Sequence, residues 1–267
     1  MTNNLITIRT WGDYACFTRP EMKVERVSYP VMTPSAARGV LEAIFWEPQI
    51  YYLIDSVHVI QRGRWFSFRR NEVEDVISMS NTKTWMKEPH KVVPIQAGGG
   101  IGTQRNMLAL ASVEYIITAE IHLSEVGKKG RHPIKIYFEE IKRRARNGKC
   151  YHRPYLGVRE FAADFDWEDE ATAAQDRRAE ELRKDCRSIW PEEDLGLMLY
   201  DVFDYKKRIQ GFRWLDEEER PKKKGASRWE GILIKPEAAF FHARIENAKL
   251  DCHPRRVRFA GNRMSGE

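Results

Sequence analysis

Cysteine is scarce and scattered: the four residues Cys16, Cys150, Cys186 and Cys252 form no CxxC pair. That spacing supports neither a zinc knuckle nor a thioredoxin-like redox site. No stretch reaches the roughly 18 apolar residues needed to cross a bilayer. The opening MTNNLITIRTW lacks the basic-then-apolar pattern of a secretory leader. A cytoplasmic location with no membrane partner is therefore expected. Metal motifs are missing too. Asp164, Asp166, Glu168, Asp169 and Glu170 cluster without an HD pair or an HxxEH arrangement, so they read as a solvated acidic segment, and no metal or cofactor is expected. The glycine-rich GGGIGTQR at 98–105 is not followed by Gly-Lys-Ser/Thr, which removes a phosphate-loop reading. Neither charge sign dominates strongly. Lys and Arg number 45 against 39 Asp and Glu, a net charge of +6, which permits a polyanion partner without requiring one.

The 267 residues suffice for one large domain, or for one plus a smaller one. Residues 5–10 alternate and are β-branched, as in a strand. Thr33-Pro34-Ser35 is a helix start, a capping hydroxyl followed by proline in the first turn, and Pro48 lies beyond the helix. Residues 50–60 and 65–68 read as strands, 81–105 as a long irregular segment, and 107–123 as one long strand or two. A second helix is expected over 133–147. Its apolar face is Ile134, Tyr137, Phe138, Ile141 and Ala145, and Gly148 caps it. The acidic segment 164–185 reads as a link between two modules. Strands at 196–205, 211–215 and 229–234, with a turn at 221–225, suggest a small C-terminal sheet. The expected class is α+β: a ferredoxin-like (RRM-like) βαββαβ domain over 1–190, with a loop insertion at 81–106, then a small antiparallel β-sheet domain over 191–267.

Two regions carry groups suited to nucleic-acid chemistry. Tyr14, Phe17, Arg19, Lys23, Arg26 and Arg38 combine stacking faces with backbone cations, the mixture that holds single-stranded RNA. An ordinary solvated loop would share this composition. Arg38 also lies near the start of the Pro34 helix, whose free N–H groups favour an anion. Gln104 and Arg105 are candidate contacts from the glycine-rich loop. The densest candidate for a reactive site is 128–155, KKGRHPIKIYFEEIKRRARNGKCYHRPY. RNA is cut without metal when its 2′-hydroxyl attacks the adjacent phosphate. The protein must then accept a proton, stabilise an oxyanion and protonate the 5′-oxygen. His132 precedes the second helix and Lys135 lies in its first turn, which places a base and a cation at an anion-favouring helix end. His152, expected on the following strand and flanked by Tyr151 and Arg153, could approach the same phosphate. Arg143 is a further backbone contact. His58, His122 and His242 fall in strand-like runs and read as structural.

Four segments carry a family resemblance: GDYACFTRPEMKVERVSY at 12–29, TPSAARGVLEAIFW at 33–46, RRNEV at 69–73 and YHRPYLGVREFAADF at 151–165. Taken in order, they resemble the CRISPR-associated RAMP superfamily, specifically the crRNA-processing subunit of the type I-C (Dvulg) Cascade. The resemblance implies a metal-independent endoribonuclease. It would cut the repeat of precursor RNA at the hairpin base, leave a 2′,3′-cyclic phosphate and keep the 5′ handle. The implied partners are precursor and mature crRNA, the backbone and large subunits of the complex, and target double-stranded DNA. It also implies a tyrosine after the first helix and a Lys-His pair opening the second. Here those positions hold Phe45, Lys135 and Ile136, so either His132, His152 or Tyr151 supplies the missing role or a chain of this kind cleaves slowly. A non-catalytic subunit that only grips the handle is the competing reading.

Overall fold

The computed structural model describes residues 4–73, 77–93, 102–168, 181, 184, 190–202, 213–214, 229–230 and 238–260. In chain order it contains β1 (Leu5–Ala15), a 3-10 turn (Pro20–Met22), β2 (Arg26–Val27), α1 (Pro34–Ile44), β3 (Ile50–Gln61) and β4 (Arg64–Val73). Then come α2 (Met79–Lys87), a second 3-10 turn (Pro89–Lys91), β5 (Gly102–Leu123), α3 (Glu125–Lys129), α4 (Ile134–Arg146) and β6 (Asp164–Trp167). The C-terminal strands are β7 (Glu192–Asp201), β8 (Arg213–Trp214), β9 (Trp229–Glu230), β10 (Ala239–Glu246) and β11 (Lys249–Asp251).

The fold is mixed α/β, with a large, mostly antiparallel sheet and few helices. Nine strands form one sheet in the order β6-β1-β5-β3-β11-β10-β7, with β2 and β4 also paired to β5. Helix α1 packs on β3 and β7, and α4 packs on β1, β5 and β6. Both contribute to one core: Val40, Leu41 and Ile44 from α1 and Tyr137, Ile141 and Ala145 from α4 meet Ile8, Tyr52, Tyr115, Ile117 and Phe241 of the strands. Thr33 starts α1 as its residue type requires, its hydroxyl accepting the Ala36 N–H at 3.2 Å. Gly148 ends α4 in the left-handed region at φ +61°.

Several expectations need correction. Residues 164–167 are not a linker but strand β6, paired with β1 from Ile8↔Trp167 to Trp11↔Asp164. Asp164 and Asp166 point outward while Trp167 is buried, so the acidic composition hid a period-two strand. The segment 81–105 is not wholly irregular. It contains most of α2, which Ser78 caps by accepting the Asn81 N–H at 3.1 Å. Gln104 and Arg105 lie within β5, opposite Asn71 and Arg70 of β4. Residues 98–101 and the expected turn at 221–225 lie outside the described residues. Strand β11 pairs with β3 through Lys249↔His58, so β7, β10 and β11 continue the main sheet.

Candidate active site

The C-terminal end of α1 and the length of α4 enclose a cavity of about 620 Å³. The chain after α4 closes it. Its Tyr151 and His152 N–H groups both donate to the Ala43 carbonyl, at 2.9 and 3.4 Å, which satisfies one of the free carbonyls that end α1. Phe45 leaves the helix in extended backbone and buries its ring. That ring lies 6.5 Å from the Tyr137 ring and 6.0 Å from the Tyr151 ring.

Of the expected catalytic residues, His132, Lys135 and Tyr151 line this cavity, and Arg143 joins them. His132 and Lys135 are exposed at the entry to α4, which has no side-chain cap. His132 sets its ring edge-on to Tyr137, 6.5 Å away. Tyr151 is half exposed. His152 is exposed in a bend rather than on a strand, and it does not line the cavity. Ile136 lines it with an apolar, half-exposed side chain.

The sequence reasoning missed Glu140, Arg144 and Tyr137, which line the same space. Arg144 Nε donates to Glu140 Oε1 at 2.7 Å, while Arg143 donates to both Glu140 oxygens at 2.8 and 2.9 Å. Hydrogen bonds from Arg143, then from Arg144, overcome the cost of burial and hold the Glu140 carboxyl at about 2. It stays ionised near neutrality and anchors cations rather than moving protons. The Arg144 guanidinium lies 4.2 Å from the Tyr151 ring centre and 5.3 Å from that of Phe45. Burial raises the Tyr137 phenol above its ordinary value. A detectable signal was the spacing of Glu140 and Arg144, an (i, i+4) ion pair on one helix face.

The expected RNA contacts of the N-terminal tract lie elsewhere. Tyr14 packs against Phe66 and Phe161, with ring centres 5.3 and 5.6 Å away. Arg19 covers the Tyr29 ring at 4.9 Å, and Lys23 is exposed. Arg26 pairs with Glu72 at 3.9 Å and Glu160 at 3.4 Å. Arg153 is exposed, 3.7 Å from Asp164. Arg38 does not present its charge to solvent. It is only 12% exposed, bonds Asp201 at 2.9 and 3.1 Å, and also pairs with Glu42. Those two carboxylates offset its burial and raise its pKa. Gln104 accepts from Arg69 at 3.3 Å. A second cavity of about 910 Å³ is lined by residues of β3, β10 and β11, including His58 and His242. There Arg256 bonds Asp55 and Asp251. The smaller cavity is the better candidate, because it gathers a histidine, a lysine and a phenol.

The fold is one also found in a solved CRISPR-associated protein. A crystal structure of a CRISPR-associated protein superposes with a TM-score of 0.54 at 18% identity, covering 92% of this chain and 90% of that one. A functionally uncharacterised protein of Streptococcus mutans superposes at 0.50 and 18% identity, with 92% and 91% covered. The chain belongs to the Cas5d family, described as CRISPR-associated protein (Cas_Cas5), whose model matches residues 5–251. It is 41% identical over 202 residues to the CRISPR pre-crRNA endoribonuclease Cas5d of Mannheimia succiniciproducens, covering 74% of this chain and 85% of that one. To the protein of the same name from Thermus thermophilus it is 34% identical over 250 residues, covering 92% and 90%.

Proposed function

We propose that this chain is an endoribonuclease that cuts the repeat of CRISPR precursor RNA at the base of its hairpin, without metal. It then keeps the 5′ handle within the type I-C surveillance complex, beside the backbone and large subunits and the target duplex. Two relatives at 41% and 34% identity carry the name of that activity. The observation that carries the reading is the convergence of His132, Lys135 and Tyr151 on one cavity.

In this scheme His132 accepts the proton of the attacking 2′-hydroxyl. The 2′-oxygen bonds to phosphorus, and Lys135 stabilises the charge that builds on the phosphate oxygens. The bond from phosphorus to the 5′-oxygen breaks, and Tyr151 gives that oxygen its proton. The products are a 2′,3′-cyclic phosphate and a 5′-hydroxyl. The exposed His152 stays outside this set. Tyr14, Arg19, Lys23, Arg26, Gln104, Arg105 and Arg153 are proposed to follow the handle rather than the scissile phosphate.

A ferredoxin-like reading of residues 1–190 accompanies this proposal. It takes β1, α1, β3, β5, α4 and β6 as the βαββαβ unit, and the antiparallel order β6-β1-β5-β3 supports it. Residues 191–267 would then be a small sheet added at the β3 edge.

The test is incubation of the protein with a hairpin RNA carrying the repeat of its own genome's array, in EDTA. One cut with a cyclic phosphate end is expected. Lys135→Ala should slow cleavage about 100-fold while changing affinity far less. Intact RNA after prolonged incubation would leave the handle-gripping subunit, a reading favoured by the missing hydroxyl at Phe45.

A further inference from the structure

Resting on that reading, we infer that Arg144 is the group that binds the scissile phosphate, with Glu140 as its positioning residue and the Phe45 and Tyr151 rings as its seat. Three observations carry this. First, Arg144 lies on the cavity wall with His132, Lys135 and Tyr151. Second, its guanidinium is held from one side only. Nε is taken by Glu140 at 2.7 Å, and among the described residues none accepts a hydrogen bond from the two terminal nitrogens. They present a flat pair of donors, the geometry that suits phosphate oxygens. Third, the cation rests over two aromatic faces, at 4.2 Å from Tyr151 and 5.3 Å from Phe45. These contacts fix its position without consuming its donors.

This arrangement gives Phe45 a role that a hydroxyl does not supply. Its buried ring is a floor under the guanidinium. Arg143, half exposed, bonds both Glu140 oxygens, so the anchor remains charged.

The test is single-turnover cleavage of the repeat hairpin, made with an ordinary scissile phosphate or with sulfur replacing either non-bridging oxygen. In the unaltered protein, one sulfur isomer should be cut more slowly. Arg144→Gln should slow cleavage of ordinary RNA about 100-fold, with affinity changed by no more than about threefold, and should erase that sulfur penalty. Arg144→Lys should fall between the two, because it keeps the charge and loses the fork. Both variants are first checked for an unchanged melting temperature. Arg144→Gln cutting within about twofold of the unaltered rate would overturn the inference. So would a slowed variant that keeps its sulfur penalty, or no sulfur penalty in the unaltered protein. Failure of the unaltered protein to cut ordinary RNA would remove the parent reading and this inference together, and it shows before any variant is compared.

Discussion

Phe45 has a ring but no hydroxyl, and the phenols around it come from other elements. Tyr137 is one helix face away, and Tyr151 follows α4. Tyr151→Phe keeps the ring that Arg144 covers and removes only the oxygen. It should lower the single-turnover rate by about 10- to 100-fold while RNA affinity, read by gel shift, stays near its original value. Equal loss of rate and affinity would make Tyr151 a binding residue. Lys135 and His132 stood out as candidates in the sequence because they flank a recognisable helix start, and Tyr151 because it adjoins His152; the three line one cavity. Glu140 and Arg144 did not stand out, because they sit in EEIKRRAR, where a run of charges reads as a solvated face. What separates Arg144 from Arg146 is its facing. Arg144 is partly buried over two rings, while Arg146 is exposed.

Elements whose ends are marked by particular residue types emerged from sequence close to where they lie. The Thr33-Pro34 start and the Gly148 stop fall at the termini of α1 and α4. Thr33→Ala leaves the Ala36 N–H without its acceptor and should cost about 1 kcal/mol in denaturant unfolding, with cleavage unchanged once the protein is folded. An unaltered midpoint would mean that solvent replaces the cap. Strand β6 and helix α2 were illegible for different physical reasons. In β6, alternation lasts only four residues and is masked by acidic side chains. In α2 no residue is buried, and its Met79 and Met86 are largely exposed. Without a buried face there is no apolar period to detect. Around His152 the chain forms a bend where a strand was expected.

Across the whole molecule, Arg38 joins the N-terminal helix to the C-terminal strands through Asp201 of β7. Replacing Asp201 by Asn takes one charged partner from a buried guanidinium that also pairs with Glu42. The expected loss is about 3 kcal/mol of stability, with earlier hydrogen exchange in β7 and β10. Unchanged exchange in those strands would mean that the pair does not brace them. No spacing rule connects positions 38 and 201, so this link was invisible in the sequence. The long strand β5 is the other organiser at this scale. Leu110 and Val113 both reach the main core, while Met107 and Ala109 enter a smaller cluster with Cys16 and Val158. Regular alternation does not send residues three apart to the same side. Ser112 between them stands in the left-handed region at φ 59°. That single dihedral acts as a phase shifter. It lets one continuous ribbon serve two hydrophobic clusters without rivalry, so a β-branched side chain at 112 would set them competing for the same strand.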